Sequence, residues 1–505
     1  MITIHDTPEE TPLLATPNSE NAQPPNNRLK KLLILVVCGI FILGADFGFF
    51  LSTAPQTAIF EQIICRNYLV HSRDALNTTL PEVPGNPCKS EVVQGELAIV
   101  NGYKDTFEVI PSIILSLPYG VLADHWGRKP VLYLGALGMI LGEIWVRLVA
   151  ASEILPLRMI WLSGIFRIIG GGDQVVLSMA VAMVADVFSE EERSTALFRL
   201  QSCAILAEIL ATPISAYLMT FDPWFPYLLG FIVILIGTLP TFFLPETLAD
   251  AKSKMASHSG SSGEGGEGTE TSKQPLLQAI LHQISEFKHS IRFIWRDGNV
   301  CLLILITGFG VMSRQSTNIL MQYASKKFNW SIGKASLLIS LRGIFTLANF
   351  LVIMPSFNMI LGKFFNLHGK HRDHRLSQGT ALFTMVGFAI MAFAPVPGIL
   401  IWGLAILSLG LGFLITTRSL VTALVLPSHI GTLYSALAIS MSVGILISGP
   451  LFAYLFRIGM HLGNAWMGLP WLQASLIFGL VTIAIWRIRV RDPVEYENPR
   501  PAENI

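Results

Sequence analysis

The sequence predicts an all-α integral membrane protein with twelve transmembrane helices arranged as two parallel six-helix repeats. Three observations predict it. The chain is 52% hydrophobic and only 14% charged, with a mean hydropathy of +0.55; soluble domains carry about 25% charged residues. A bilayer takes about 20 apolar residues per helix, and runs of that kind recur twelve times with short polar breaks. Two motifs also return six runs later. GVLADHWGRK from Gly120 comes back as GKFFNLHGKH from Gly362, sharing G-x-x-x-(D/N)-x-x-G-(R/K), and PISAYL from Pro213 comes back as PLFAYL from Pro450. Repeats in the same sense imply two halves related by an axis along the membrane normal.

Taken in order, residues 1–28 are polar and rich in Pro and Asn. They read as a disordered cytoplasmic N-terminal tail and not as a signal peptide. Residues 29–245 hold six runs, at 32–54, 96–122, 130–150, 158–184, 196–219 and 224–244. Residues 246–297 form a cytoplasmic linker, in which SHSGSSGEGGEGTETSK is flexible. After it, LLQAILHQISEFKHSIRFIW has helical periodicity suited to the cytoplasmic face. Residues 298–488 hold the other six runs, at 299–322, 333–361, 378–395, 398–425, 430–457 and 466–487. A short cytoplasmic tail, 489–505, closes the chain.

Orientation follows from Lys and Arg, which concentrate on the cytoplasmic side. With the N-terminus inside, 21 of the 35 fall in cytoplasmic segments, 8 in outer loops and 6 within helices. The clusters RKP (128–130), KHRDHR (370–375) and WRIRVR (486–491) all land inside, while Lys326, Lys327 and Lys334 dissent. The two N-x-S/T acceptors, Asn77 and Asn329, fall in the first and seventh connections, both outer, where glycosylation occurs. Cys65 and Cys88 flank the first outer connection and can pair if that loop faces an oxidising space.

Several classes are excluded. A net charge of +1 argues against a nucleic-acid partner. Five cysteines without a CxxC pattern give no metal site. No nucleotide-binding motif is visible, and no nucleophile constellation lies within the runs, so the chain reads as neither an ATP-driven pump nor an enzyme, and no cofactor is expected.

The motifs identify a family resemblance. GVLADHWGRK is similar to the loop 2–3 signature of the major facilitator superfamily, with Asp124, Gly127, Arg128 and Lys129 in place, and PET (245–247) closes the sixth helix as many members do. ADVFSEEERSTA (185–196) resembles its loop 4–5 pattern, through Asp186 and Arg193. Arg167-Ile-Ile-Gly-Gly-Gly resembles the fourth-helix R-x-x-Q-G of drug/proton antiporters, except that Gly170 stands for the glutamine. The fifth-helix antiporter motif is degenerate as ATPISA (211–216). CRNY after APQTAIFE (54–68) resembles fungal members near the tetracycline-antiporter and proton-coupled folate transporter branch. The resemblance spans about residues 28–490 and implies the major facilitator fold with rocker-type alternating access.

Particular residues carry the chemistry. In the 120–130 loop, Gly120 and Gly127 permit close approach and a tight turn. Asp124 and Arg128, at i and i+4, can pair with each other, or reach a neighbouring helix and latch the cytoplasmic side; a solvated turn is the plainer reading. In FRIIGGGDQVV (166–176), Asp173 falls near the midplane and Arg167 about 9 Å further out along a continuous helix. A charge at that depth costs about 2.5–3.5 kcal/mol, so it faces a bundle interior or water. The three glycines let another helix or a substrate approach. Either this is a functional site, or Arg167 pairs with Glu143 or Asp173 and merely orients helices.

Asp46, Glu108 and Glu208 also lie at membrane depth. Glu208, among Leu206, Ile209 and Leu210, is the acid best placed to carry a proton, with Asp173 next and Asp46 in reserve; Arg167 is their expected charge partner. Glu143 and Arg147 read as a structural pair on a peripheral helix. Arg314, Arg342 and Arg418 in the second half have no acidic residue at comparable depth, which suits attraction of an anionic or carbonyl-rich substrate, or helix ends and lipid headgroups. Trp145, Trp161, Trp224, Trp402, Trp466 and Trp471 lie near run ends, as an interfacial belt does. EETPLL (9–14) has the form of an acidic dileucine signal towards a vacuole or endosome, an alternative to the plasma membrane.

The sequence therefore points to a secondary transporter of a small organic molecule. Its partners are membrane lipid, protons and the substrate, and it works as a monomer. The partial antiporter motifs favour proton-coupled efflux. Proton-coupled uptake is the competing direction, and a non-transporting nutrient sensor of the same fold is a third reading.

Overall fold

The computed structural model describes residues 25–76, 86–152, 154–188, 190–248, 298–365, 369–425 and 430–488, and among these every regular element is helical. Asn77, the tail before residue 25, the segment 249–297 with its periodic flank, and the tail after 488 lie outside the described residues.

Among the described residues the helices group into twelve spans. The first is Pro25–Leu76, the second Glu91–Trp126, the third Arg128–Ala151, the fifth Glu190–Leu218, and the sixth Trp224–Thr238 with a 3-10 extension over Leu239–Phe243. The fourth is broken: Leu157–Leu162 and Ser163–Phe166 lead in, and Gly172–Val187 follows. In the second half the seventh is Gly298–Gly310 with Met312–Lys327, and the eighth runs from Ile332–Ala348 through a π-turn to Met354–Phe365. The ninth is Gly369–Ala392, the tenth Pro397–Gly410 with Phe413–Ala423, the eleventh Ile430–His461 and the twelfth Leu469–Arg487. Among the described residues, nine of these are individually long and apolar enough to cross a bilayer. The other three have visible reasons: spans four and seven are interrupted, and span nine opens on the polar GKHRDHR.

Span one exceeds its apolar run. Its 52 residues extend about 78 Å at 1.5 Å each, far beyond a hydrocarbon core of about 30 Å. The hydrophobic run stops at residue 54 because Pro55, Gln56 and Thr57 interrupt it, yet the helix passes through Pro55 and carries Cys65 outward.

Small residues let the spans pack backbone to backbone. A Cβ on Gly44 of span one would come within 2.7 Å of Gly237 Cα of span six. Between the halves, a Cβ on Gly102 of span two would come within 2.9 Å of Gly449 O of span eleven. The second seam joins span five to span eight, where Gly333 faces Ala216 and Met219. The two approaches between the halves lie towards the end opposite the Gly127 turn, so the halves are closed at the face read as outer. Trp471 departs from the interfacial belt: it is fully buried and packs edge-on against Tyr323, ring centroids 4.1 Å apart.

Candidate functional site

The stretch 166–176 is where span four breaks. Gly170, Gly171 and Gly172 have φ of +83°, +77° and +75°, a left-handed run open to glycine and costly to other residues. The break frees backbone groups that hydrocarbon cannot satisfy. Tyr119 of span two meets them, its hydroxyl donating to Ile168 O (3.0 Å) and accepting from Gly170 N (2.8 Å). The continuous helix expected from the sequence is thus corrected. The glycines turn the chain so that Asp173 pairs directly with Arg167, instead of lying a turn and a half away from it.

Arg167 is the hub of an ionic cluster built by spans two, three and four. Its Nη2 lies 3.7 Å from Glu108 Oε2 and 3.5 Å from Glu143 Oε1. Span two adds Lys104, 3.0 Å from Glu108, and Ser163 donates to Glu108 at 2.7 Å. On span three, Arg147 pairs with Glu143 at 2.5 Å, then reaches Ser52 Oγ and Tyr227 O, both at 3.1 Å, with its guanidinium 4.3 Å from the Tyr227 ring centroid. Lys104, Arg147 and Arg167 are buried, whereas the Asp173 side chain is 58% exposed. Lys104, Arg147 and Arg167 face Glu108, Glu143 and Asp173, with Asp105 beside Lys104, and a proton arriving on any one of these acids changes the balance of the set. Glu143 and Arg147, expected to be a separate structural pair, therefore belong to this cluster.

Glu208 is elsewhere. Its partner is not Arg167 but Arg342 of span eight, at 2.6 Å through Nη2 and 3.2 Å through Nε, both side chains largely buried. Span five turns Leu206 and Leu210 outward, so these two do not enclose the carboxylate. Arg342, expected to have no acid at comparable depth, is paired with an acid from the other half. Arg418 is exposed and donates to Met441 Sδ at 2.7 Å. Asp46, on span one, is not without a partner. The Arg314 side chain lies outside the described residues.

Among the described residues, the 120–130 loop is held by contacts within the first half. Arg128 pairs with Asp124 at 2.8 Å and approaches Asp186, at the end of span four, to 3.5 Å. Glu246, from PET after span six, accepts from Arg128 N (2.9 Å) and Lys129 N (3.1 Å), the first free amides of span three. Lys129 Nζ donates to Phe242 O at 3.0 Å, and Thr247 Oγ1 to Asp186 at 2.9 Å. Gly127, at φ +113°, presses against the Glu246 carboxylate. Gly120 does not play the packing role expected of it, because a Cβ there meets nothing within 4 Å. The Arg193 side chain lies outside the described residues. Cys65 and Cys88 are joined as a disulfide, Cα atoms 5.0 Å apart.

The model of the Major Facilitator Superfamily matches residues 36–449. The chain belongs to the Major Facilitator Superfamily. Within the superfamily it is similar to several fungal proteins over nearly the whole length of both chains. It is 34% identical to the efflux pump ustT of Aspergillus flavus, covering 93% of this chain and 91% of that one. It is 33% identical to the MFS-type transporter avaK of Aspergillus versicolor (94% and 96%) and 32% identical to the MFS efflux pump atnC of Emericella nidulans (98% and 95%). Among solved structures, the nucleoside transporter NupG shares the fold with a TM-score of 0.61 at 13% identity, covering 90% of this chain and 99% of that one. A D-xylose-proton symporter does so at 0.58 and 14% (91% and 97%). The chain is a membrane transporter of this superfamily and not an enzyme.

Lys104 and Glu246, with Tyr119 and Ser163, were not among the residues expected from the sequence. Lys104 sits four residues before Glu108, an i,i+4 signal that was available. Glu246 lies in the PET motif, but its role as the cap of span three depends on where span six ends.

Proposed function

We propose that this transporter exports a small organic molecule against an inward flow of protons, with the Arg167 cluster as the coupling site and Glu208–Arg342 as a gate between the halves. The observation that carries the proposal is the cluster's composition: buried Lys104, Arg147 and Arg167 against Glu108, Glu143 and Asp173, the last of which extends into open space. Buried charge at membrane depth is costly and marks ion or substrate pathways. Asp173 exchanges protons with water, and Arg167 responds because it shares its charge among Asp173, Glu108 and Glu143. Substrate and proton then compete for one guanidinium, which links their binding. This moves the carrier from Glu208, the first expectation, to Asp173, the second.

Glu208 gains a different role. Its bond to Arg342 spans the seam and must break when the outer side opens. Direction is supported by relatives named efflux pumps at 32 and 34% identity. The test is uptake of a panel of small metabolites into inside-out vesicles with and without the protein, under an imposed pH gradient. Export predicts accumulation only when the vesicle interior is acid; accumulation under the opposite gradient would establish uptake instead, and no flux under either would favour the sensor reading.

A further inference from the structure

Resting on the alternating-access reading above, we propose that Lys89 is a positioning residue of the outer gate, held across the seam between the halves by the Cys65–Cys88 bridge. The bridge pins the short turn Pro87–Lys89 to the outward extension of span one. Asn86 shapes that turn: its side chain accepts from Cys88 N at 3.0 Å, and its carbonyl from Lys89 N at 2.9 Å. Gln94, fully buried, ties Cys88 O (2.9 Å) and Glu61 to the same unit. Lys89 is thereby aimed at two acceptors on opposite halves, Glu61 of span one and Ser325 of span seven, each at 2.6 Å. Lys326 returns the contact by donating to Lys89 O.

The geometry separates what moves from what stays. Glu61, Cys65, Cys88, Lys89 and Gln94 all belong to the first half and travel together. Ser325 and Lys326 belong to the second. Opening the outer side leaves Lys89 with Glu61 and removes its bond to Ser325 and the Lys326 bond to its carbonyl. A cavity of about 700 Å³ lies beside Glu61 and Lys89, lined across the seam by Ser331 and Lys334, and offers water to the released ammonium. The position of Lys326, which opposes the positive-inside pattern, then has a cause: it closes the seam. Without the bridge, the Pro87–Lys89 turn is no longer pinned to span one, and Lys89 is no longer directed at Ser325.

The test uses the full chain in lipid nanodiscs, with spin labels on p-acetylphenylalanine at positions 221 and 462, exposed sites on the outer ends of spans five and eleven. This chemistry avoids the cysteines. Electron–electron distance measurements give the closed-to-open ratio. Reducing the bridge should shift that ratio towards open about tenfold, the worth of one charge-assisted hydrogen bond. Lys89→Ala should do the same, Lys89→Arg should restore most of the closed population, and reduction should add nothing in Lys89→Ala. If Glu208→Gln opens the outer side while reduction and Lys89→Ala leave it closed, this inference fails and the alternating-access reading stands. If reduction still opens Lys89→Ala, the bridge does not act through Lys89 and the inference also fails. A single unmoving distance in every variant, Glu208→Gln included, defeats both.

Discussion

Arg342 Nη2 lies 2.6 Å from Glu208 Oε1, so span eight of the second half is tied to span five of the first by a nearly buried ion pair. Removing the carboxylate takes away the ionic bond that ties the two spans. Glu208→Gln should therefore favour separation of the halves at the outer face. The measure is the rate at which an impermeant maleimide labels Ser340→Cys, a buried position outward of Arg342. The rate should rise at least about tenfold, and the exchanged pair Glu208→Arg with Arg342→Glu should bring it back. An unchanged rate in Glu208→Gln would show that the pair does not close the seam.

Gly171 should resist substitution for a backbone reason. Its φ of +77° is strained for any residue with a Cβ, and a Cβ there would come within 2.7 Å of the Tyr119 ring. Gly171→Ala should cost about 1–3 kcal/mol, read as a lower melting temperature in detergent. Gly120→Ala, with open space around it, should melt with the parent. Equal melting of all three would mean that the break in span four is not built on these glycines.

At the 120–130 loop, Glu246 and Arg128 meet in one assembly with Asp186. Glu246→Ala, Arg128→Ala and the double variant should each slow transport about tenfold, with the double no worse than the singles, while expression is retained. Additive losses would mean two separate contributions, and a wild-type rate in either single variant would reduce the loop to a charged turn.

Much of this was legible in the sequence because membrane spans are set by length and hydropathy, which the chain displays directly. Arg167 and Asp173 stood out for the same reason, as charges in an apolar run. Pairing was harder. Glu208 and Arg342 are 134 residues apart, and no periodicity connects spans of different halves. The break at Gly170–Gly172 was hidden because a run of apolar residues looks the same whether the helix continues or stops. The long first helix was hidden because hydropathy falls at Pro55 although helix formation does not.

Sidedness can be tested without knowing the substrate. Asn329 is exposed in the turn between spans seven and eight, so Asn329→Cys should react with an impermeant thiol reagent applied from outside. Asn77→Cys should react likewise, and cysteines at 258–275 only after permeabilisation. The opposite pattern would overturn the arrangement of twelve spans with both termini inside.

The most direct test of the coupling account is Asp173→Asn in reconstituted vesicles, once a transported compound is in hand. Asparagine keeps the size and removes the titratable proton. Substrate exchange without a gradient should persist, while accumulation driven by an imposed pH difference should fall to background. Arg167→Ala should abolish both. If Asp173→Asn still accumulates substrate at the wild-type level in response to the pH gradient, the proton is carried elsewhere and the proposed role of the Arg167 cluster is wrong.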